Sequence, residues 1–337
     1  MAFDNRDAAT ALRSQSPLER FKALYWSRLV DPLQQCEQLL SKVAALPAGT
    51  LGESCTLTLT AGGKRLRPLL VFLSARGGEG TSEKQLAAAA AVELVHMATL
   101  VHDDVLDRAE LRRGQPTLAA KFGPPVSAAA GDYLFSCAFD MLATTGSTRA
   151  VSTLSAASLG LSLGELLQMQ AGGDYELTAE AYFERCRLKT SGLFTAACQL
   201  GALLSGCSEK AIAALGGFGH YLGLSFQLSD DILDLSGDAC ETGKETGVDL
   251  RDGTVTLPLI LALECDPSIR PLLGGVVSRP RAREICRRIG TAGAIEQARR
   301  QAYDYVNMAY ESLKPAAAEV DLRPLRLIAE AAACRRT

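Results

Sequence analysis

Apolar residues recur every three or four positions along most of the chain, which is the period of an amphipathic helix. Ala, Leu, Glu, Arg and Gln dominate these stretches, and the alternation typical of strands is nearly absent. Paired glycines, among them Gly62-Gly63 and Gly216-Gly217, are expected to separate the helices. The pattern predicts helices at 21–43, 84–106, 132–142, 150–170, 179–204, 211–235, 257–264, 281–289, 292–312 and 323–333, with a loop at 274–280.

Two of these stretches, 86–101 and 150–167, are apolar on more than one face, which is typical of helices inside a large helical body. The first is short and is interrupted by Glu93 and His96, so we expect it to be a buried helix and not a segment that spans a bilayer. No low-complexity linker or solenoid repeat divides the chain. The sequence therefore predicts an all-α protein, with a flexible N-terminus at 1–16 and one helical domain at 17–337.

Composition and charge indicate which partners the protein can bind and in which cellular compartment it is expected. The 337 residues are 47% hydrophobic and 22% charged, with a net charge of −3, which is typical of a folded soluble domain without affinity for nucleic acid. The N-terminus carries Asp4 and Asp7 and has no apolar signal segment, so a cytoplasmic location is expected. The ten cysteines form no C-x-x-C pair, which favours free thiols in a reducing compartment.

One acidic motif occurs twice. LVHDDVLD at 100–107 is echoed by QLSDDILD at 227–234, each near the end of an apolar helix. Carboxylates spaced by four residues share one helix face and repel each other, and a divalent cation relieves both the repulsion and the cost of burial. A solvated acidic helix end would explain a single copy. Two copies in matching contexts favour a metal site.

Basic segments next to these motifs suggest a polyphosphate ligand. GGKRLRP at 62–68 places three cations beside two flexible glycines, and RAELRRGQPT at 108–117 directly follows the first acidic motif. Arginine suits bidentate contact with phosphate, and lysine acts as a point charge. Either segment alone could be a solvated surface patch, but their position beside the carboxylates favours phosphate binding.

Together these motifs make the sequence resemble the trans-polyprenyl diphosphate synthases, in particular the long-chain type such as hepta- and octaprenyl diphosphate synthases. The matching segments, in the order of that family, are GGKRLRPLL, ELVHMATLVHDDVLD, ELRRGQPT, GDYLF, KTSGLF, FQLSDDILD and TGKETGVDLRDGTVTLPLI. They extend from position 62 to 260. The resemblance implies a single helical bundle of the isoprenoid synthase type around a central cavity.

The resemblance also implies a role for individual residues. Magnesium, three ions per active site, would be bound by Asp103 and Asp107 with Asp230 opposite, supported by Asp104, Asp231 and Asp234. Isopentenyl diphosphate would be bound by Lys64, Arg67, His96 and Arg113. The allylic substrate would be contacted by Arg112, Lys189, Thr190, Gln227 and Lys244. His96 taken alone would be read as an ordinary core histidine.

The implied reaction breaks an allylic C–O bond, and the double bond of isopentenyl diphosphate attacks the resulting cation. Metal ions and cationic side chains stabilise the departing pyrophosphate. The cation needs dipoles and a dry pocket, which Thr190 and Gln227 could supply. A Ser/His/Asp or Cys/His triad is neither required nor visible.

Product length is predicted from the residues four and five positions before Asp103. These are Thr99 and Ala98, which are small where short-chain members of the family commonly carry a bulky aromatic residue. An open tunnel would allow a product of about thirty to fifty carbons, because each helical position rises about 1.5 Å along the wall. Met97, or Phe135 and Phe139, would then close the tunnel, although these aromatics could equally be ordinary core. A geranylgeranyl-type product is the alternative.

Two departures from the family pattern and three rival interpretations stay open. Thr254 and Gln115 stand where the family commonly has lysine, which removes cations near the site. A class I terpene cyclase would carry a different second motif. A non-catalytic partner subunit would have lost one acidic motif, whereas a catalytic subunit that needs a small helper protein is compatible with both. Apolar helix faces and the resemblance favour a homodimer, with at most peripheral membrane contact.

Overall fold

The computed structural model describes residues 16–76, 81–112, 114–236 and 246–334. Within them the α-helices are α1 (Pro17–Ala45), α2 (Gly49–Thr60), α3 (Leu66–Leu73), α4 (Glu83–Leu106), α5 (Leu118–Phe122), α6 (Pro124–Ala143), α7 (Thr148–Gln170), α8 (Ala179–Cys186), α9 (Gly192–Leu204), α10 (Glu209–Ser236), α11 (Val248–Asp252), α12 (Leu257–Cys265), α13 (Arg279–Thr291), α14 (Ala294–Leu313) and α15 (Leu322–Ala333). A π-helical turn (Arg187–Ser191) joins α8 to α9, and 3-10 turns lie at Pro267–Leu273 and Lys314–Ala316. The strands β1 (Leu111–Arg112) and β2 (Gln115–Pro116) form a small antiparallel hairpin. The prediction of an all-α protein is confirmed.

The predicted helices are present, with four additions and several shifted boundaries. The pattern missed α2, α3, α5 and α11, which are short or lie among glycines and polar residues. The predicted helix 179–204 contains the π-helical turn, and the loop predicted at 274–280 ends where α13 begins at Arg279. The prediction that Gly216-Gly217 separates two helices is wrong. Both glycines lie inside α10, where a Cβ at Gly216 would meet the Gln199 side chain of α9 at 2.7 Å.

Helix α4 runs through the centre of the molecule. Its residues Ala88 to Ala91 are completely buried, and it packs against α3, α6 and α9. Helix α10 packs along α9 and α14, and a Cβ at Gly219 would lie 2.5 Å from the Phe194 carbonyl oxygen. Small residues thus allow the central helices to approach closely, and this packing fixes where the ends of α4 and α10 lie.

Helices α4 and α7 are each long and apolar enough to cross a membrane by length and composition. The first of these helices is longer than the predicted stretch, at 24 residues, but the expectation that it is a buried helix is confirmed. Its most apolar window is 72% buried inside the protein, compared with 39% for α7. Helix α4 is accordingly a core helix of the bundle, whereas α7 exposes much of its apolar surface.

The N-terminal and cysteine predictions are tested only in part. Residues 1–15 lie outside the described residues. Ser16, which the prediction grouped with them, caps α1, since its hydroxyl accepts from the Glu19 backbone and the Glu19 side chain accepts from the Ser16 backbone. The cysteines that the structure describes are free thiols, as predicted, and Cys240 lies outside the described residues.

Candidate active site

The described residues enclose a large cavity of about 1500 Å³. Its walls come from the segment between α2 and α3, the second half of α4, the hairpin, α7, the π-helical turn and α10. This volume exceeds the roughly 300–1,000 Å³ that is typical of small-molecule pockets. The cavity therefore has room for an extended ligand with a polar head at the mouth.

The two acidic motifs meet at this cavity from different walls. Asp103 and Asp104 line it from the end of α4, and Asp230 lines it from α10. Asp107 is the C-terminal cap of α4 and is exposed to solvent near Asp103. Among the described residues, no three His, Cys, Asp or Glu side chains converge as a ready-made metal site. A cation here would need further ligands from a phosphate or from water.

Asp103 carries the electrostatic signature of a carboxylate that needs a cation. Burial raises its pKa to about 7; Lys189 and Arg112 oppose the rise, while Glu165 and Asp107 add to it. Burial likewise raises the pKa of Asp107. Carboxylate oxygens are the donors that Mg²⁺ prefers, and the metal would offset the burial and the mutual repulsion. The donor set therefore fits a magnesium ion.

The π-helical turn places Lys189 between two carboxylates. A Cβ at Gly164 of α7 would lie 2.7 Å from the Lys189 backbone nitrogen, and one at Gly223 of α10 would lie 2.5 Å from the Ser191 Cα. Only glycine permits this approach, and it brings Lys189 into an ion pair with Glu165 of α7. The Lys189 Nζ also lies 3.9 Å from Oδ2 of Asp103. The turn thus connects α7 to the first acidic motif.

Thr190 and Gln227 belong to a hydrogen-bond chain that leads from the cavity into the core. The Thr190 hydroxyl donates to Oε1 of Gln227 at 2.6 Å, and Nε2 of Gln227 donates to Oδ1 of Asp231 at 2.7 Å. The buried Tyr182 hydroxyl donates to the other Asp231 oxygen at 2.5 Å. These bonds fix which way the Gln227 amide points, so its carbonyl oxygen and the Thr190 hydroxyl stay on the cavity side.

Three predicted metal-supporting carboxylates have protein partners. Asp104 accepts from Nε of Arg112 at 2.8 Å, which holds that arginine against the cavity wall beside Gln115 of the hairpin. Asp231 belongs to the chain just described. Asp234 accepts from the backbone nitrogens of Val248 and Asp249, both at 3.1 Å, at the start of α11. Asp231 and Asp234 do not line the large cavity.

The basic residues of the GGKRLRP segment divide into two groups. Lys64, Arg67 and His96 line the cavity. The Arg67 guanidinium lies 4.8 Å from the centroid of the Phe194 ring, and burial lowers the pKa of Arg67 to about 10. Arg65 also borders the cavity, but its guanidinium is held in an ion-pair cluster with Glu37 and Glu93. Lys64 and Arg67 are therefore the cations of the segment that lie outside this cluster.

Several residues predicted to set product length or to contact the substrates are not among the described residues on the wall of the large cavity. Thr99 and Met97 line the cavity, but Ala98 is completely buried in the core, and Phe135 and Phe139 are not among the described lining residues. The structure therefore places Thr99, and not Ala98, on the cavity wall. Thr254 lines a smaller polar cavity of about 180 Å³ behind Gln227. Arg113 and Lys244 lie outside the described residues.

The sequence reasoning missed Glu165 and Tyr182. Glu165 is the one carboxylate in the 23 residues of α7, whose other charged residue is Arg149 in the first turn, and a carboxylate so far along an apolar helix was a usable signal. Tyr182 gave no signal, because a tyrosine on an amphipathic helix is usually ordinary core. The cluster of Arg65, Glu37 and Glu93 depends on three separate segments and was likewise invisible.

Comparison with known proteins identifies the class to which this fold and site belong. The polyprenyl synthetase family profile matches residues 49–289. Component 2 of heptaprenyl diphosphate synthase from Geobacillus stearothermophilus is 42% identical over 76% of this chain and 80% of its own length. A geranylgeranyl pyrophosphate synthase from Geoglobus acetivorans is 35% identical over 76% of this chain and 82% of its own length.

A solved structure shares the fold over almost the entire chain. The polyprenyl synthase from Caulobacter crescentus CB15, complexed with calcium and isoprenyl diphosphate, superposes with a TM-score of 0.84 at 32% identity, covering 95% of this chain and 98% of that one. The fold is that of an isoprenoid synthase. The chain belongs to the polyprenyl synthetase family, as a trans-polyprenyl diphosphate synthase, and is a prenyl-transferring enzyme.

Proposed function

We propose that this chain elongates an allylic diphosphate with isopentenyl diphosphate and makes a long-chain product of the trans series. The observation that carries the proposal is the arrangement of Asp103 and Asp230 on different walls of one cavity that is also lined by Lys64, Arg67 and His96. A diphosphate held by each group would bring an allylic carbon and a double bond together. Elongation breaks the allylic C–O bond, forms a C–C bond and passes one proton to the released pyrophosphate.

Individual side chains have distinct tasks in this scheme. Lys189 and Arg112 neutralise the allylic diphosphate as its charge grows, and Lys64, Arg67 and His96 orient isopentenyl diphosphate. The Gln227 carbonyl and the Thr190 hydroxyl direct their oxygens toward the developing cation, because their hydrogen bonds fix them in that direction. The apolar walls exclude water, which would otherwise capture the cation.

Asp103, Asp107 and Asp230 would hold magnesium, three ions per site, with Asp104, Asp231 and Asp234 in support. Bound Mg²⁺ supplies charge to the leaving pyrophosphate and orients it. The raised pKa of Asp103 and Asp107 supports this assignment, as does the calcium in the Caulobacter relative. Arg113 and Lys244 are proposed substrate contacts on the family pattern alone.

The long-chain product is supported by the cavity's volume of about 1500 Å³ and by the small Thr99 on its wall. The relatives include both heptaprenyl and geranylgeranyl synthases, so a shorter product is the competing outcome. Thr254 stays a proposed departure that removes a cation and weakens diphosphate binding, whereas the replacement of the usual lysine by Gln115 is expected to matter less.

The assembly we propose is a homodimer in the cytoplasm. Helix α7 exposes the large apolar side chains of Leu159, Leu163 and Leu167, which do not line the large cavity and which a second copy would cover. The Geobacillus relative is named a component of its synthase, which supports testing a small helper protein as well. Membrane contact would be limited to product release, and nucleic acid is not a partner.

Incubation of the purified chain with Mg²⁺, isopentenyl diphosphate and farnesyl diphosphate tests the proposal, with extracted products separated by chain length. We expect elongated diphosphates of about thirty to fifty carbons by resemblance, and a loss of about 10³-fold in turnover for Asp103→Asn. Asp140→Asn, an exposed carboxylate of α6 outside the cavity, is the matched control. Cyclised hydrocarbon, or no elongation with or without a helper protein, would contradict the proposal.

A further inference from the structure

Arg65 borders the cavity, but its side chain is held by residues of three helices, α1, α2 and α4. Its Nη1 donates to Oε1 of Glu93 at 2.9 Å, its Nε and Nη2 bind the Glu37 carboxylate, and Nη2 donates to the Leu59 carbonyl at 3.2 Å. Only 13% of its side chain is exposed. The backbone of Arg65 is left-handed, with φ of 47°, which points its side chain away from those of its neighbours.

Glu93 lies between two arginines. It projects from α4 into the cavity wall, and its side chain is 4% exposed. Apart from its contact with Arg65, it is close enough to Arg67 to raise the pKa of that arginine against the effect of burial. A buried carboxylate beside the seat of a diphosphate would repel that ligand unless a cation neutralised it.

Arg67 remains available for an anion. Its Nε is buried and has no hydrogen-bond partner among the described residues, and its guanidinium stacks on Phe194. The carboxylates that act on it are Glu93 and Asp230. Glu93 is therefore a competitor that could bind Arg67 in place of a substrate phosphate.

We propose that Arg65 is a positioning residue that binds Glu93 on the side facing α1 and thereby leaves Arg67 free to bind the diphosphate of isopentenyl diphosphate. The inference rests on the proposed function and assigns a role to an arginine whose guanidinium is engaged by carboxylates of the protein. If Arg65 is lost, Glu93 is no longer held and can turn to Arg67, which lines the same cavity and on which its charge already acts. The effect then appears in binding of isopentenyl diphosphate and not in that of the allylic substrate.

The proposal predicts that substitutions of the two partners in the Arg65–Glu93 ion pair have opposite effects on the binding of isopentenyl diphosphate. At pH 8, Arg65→Gln is expected to raise the KM and the calorimetric Kd for isopentenyl diphosphate about tenfold, with the allylic KM changed less than about twofold. Glu93→Gln breaks the same contact but removes the competitor, so it is expected to lower both constants about twofold. The double variant Arg65→Gln/Glu93→Gln should restore the constants to within about twofold of wild type. Glu37→Gln, which removes the partner outside the cavity, is the control and should change neither constant.

A merely structural ion pair would give a different pattern. Equal increases in KM for Arg65→Gln and Glu93→Gln, or no rescue in the double variant, would overturn the proposal. If Arg65→Gln does not fold, Glu93→Gln decides: a fall in Kd supports the role of Arg65, and an unchanged or higher Kd refutes it. Wild-type turnover reports separately on the proposed function, because the calorimetric Kd is measured without an allylic substrate.

Discussion

The hydroxyl of Tyr182 donates a hydrogen bond of 2.5 Å to Oδ2 of Asp231, the central carboxylate of the second acidic motif. The other oxygen of Asp231 holds the Gln227 amide, which in turn accepts from Thr190. A completely buried side chain of α8 therefore sets the direction of the dipoles at the cavity wall. Supporting hydrogen bonds of this kind are a common means of holding the side chains of a site in a fixed orientation.

Tyr182→Phe tests this relationship. Loss of the donor leaves a buried Asp231 oxygen unsatisfied, which should lower the free energy of unfolding by about 1–3 kcal/mol. With the Gln227 amide less restrained, we expect kcat for elongation to fall about tenfold while the KM for isopentenyl diphosphate stays unchanged. Tyr175→Phe, whose hydroxyl donates to the Leu273 carbonyl away from the cavity, is the control. Equal kinetics in both variants would remove Tyr182 from the positioning role.

Glu165→Gln should raise the Mg²⁺ concentration that the enzyme needs for activity. Without its carboxylate partner, Lys189 is expected to move from its 3.9 Å separation toward Asp103 and compete with the cation there. We expect the Mg²⁺ concentration for half-maximal activity to rise about three- to tenfold. The measurement is an activity titration with Mg²⁺ at saturating substrates. Glu184→Gln, which breaks an exposed pair with Arg187, should leave the titration unchanged.

Mg²⁺ and pyrophosphate together should stabilise the protein more than either alone. The carboxylates on the two walls do not form a complete metal site by themselves in the described residues, so the phosphate oxygens are needed as ligands. At about 100-fold excess over Kd the gain is about 2.7 kcal/mol, visible as a higher Tm by scanning fluorimetry. Asp230→Asn should remove most of the shift and Asp140→Asn none of it. A full shift with Mg²⁺ alone would mean that the protein provides the site unaided.

Thr99→Tyr should shorten the products, because Thr99 faces the cavity one helical turn before Asp103. Chromatography of the extracted alcohols after dephosphorylation measures the length. Ala98→Tyr is the informative comparison, since Ala98 is completely buried in the core. The tyrosine side chain at this position should overpack the core and lower the free energy of unfolding by about 1–3 kcal/mol, and not act on product length. Unchanged product lengths in Thr99→Tyr would show that the side chain at position 99 does not limit the length of the product.

Glu319 should contribute stability that acid removes. The Ser208 hydroxyl and the Arg76 guanidinium, together with the Ser208 backbone nitrogen, lower the pKa of Glu319 from its ordinary value of 4.5 to about 2. A carboxylate whose pKa is lower in the folded state stabilises that state above pH 4.5, and the contribution is lost as the pH falls toward 2. Glu319→Gln should therefore lower Tm at pH 7, and the difference from wild type should shrink below pH 4.5 and vanish only at about pH 2 or below.

Thermal melts across this pH range check the prediction, with Glu311→Gln as control because Glu311 forms an exposed pair with Lys314. A Tm difference that persists unchanged at low pH would show that the carboxylate charge is not the cause.

The sequence by itself determined the helical class and most of the long helices, because their period depends only on local order along the chain. It also identified the two acidic motifs and the Gly-Gly-Lys segment, since repetition and residue type carry that chemistry. Even there, the period could not tell that Ala98 faces the core and Thr99 the cavity, nor that Gly216 lies inside a helix.

Only the tertiary structure decided which charges meet. Glu165, Lys189 and Asp103 come from three separate segments, and Gly164 brings the first two together through a close approach of backbones. Tyr182 and Asp231, or Arg65 and Glu93, are likewise distant in sequence. Burial gives these pairs their strength, because a charge or hydroxyl removed from water must find a partner, and burial is a property of the packed molecule and not of the chain.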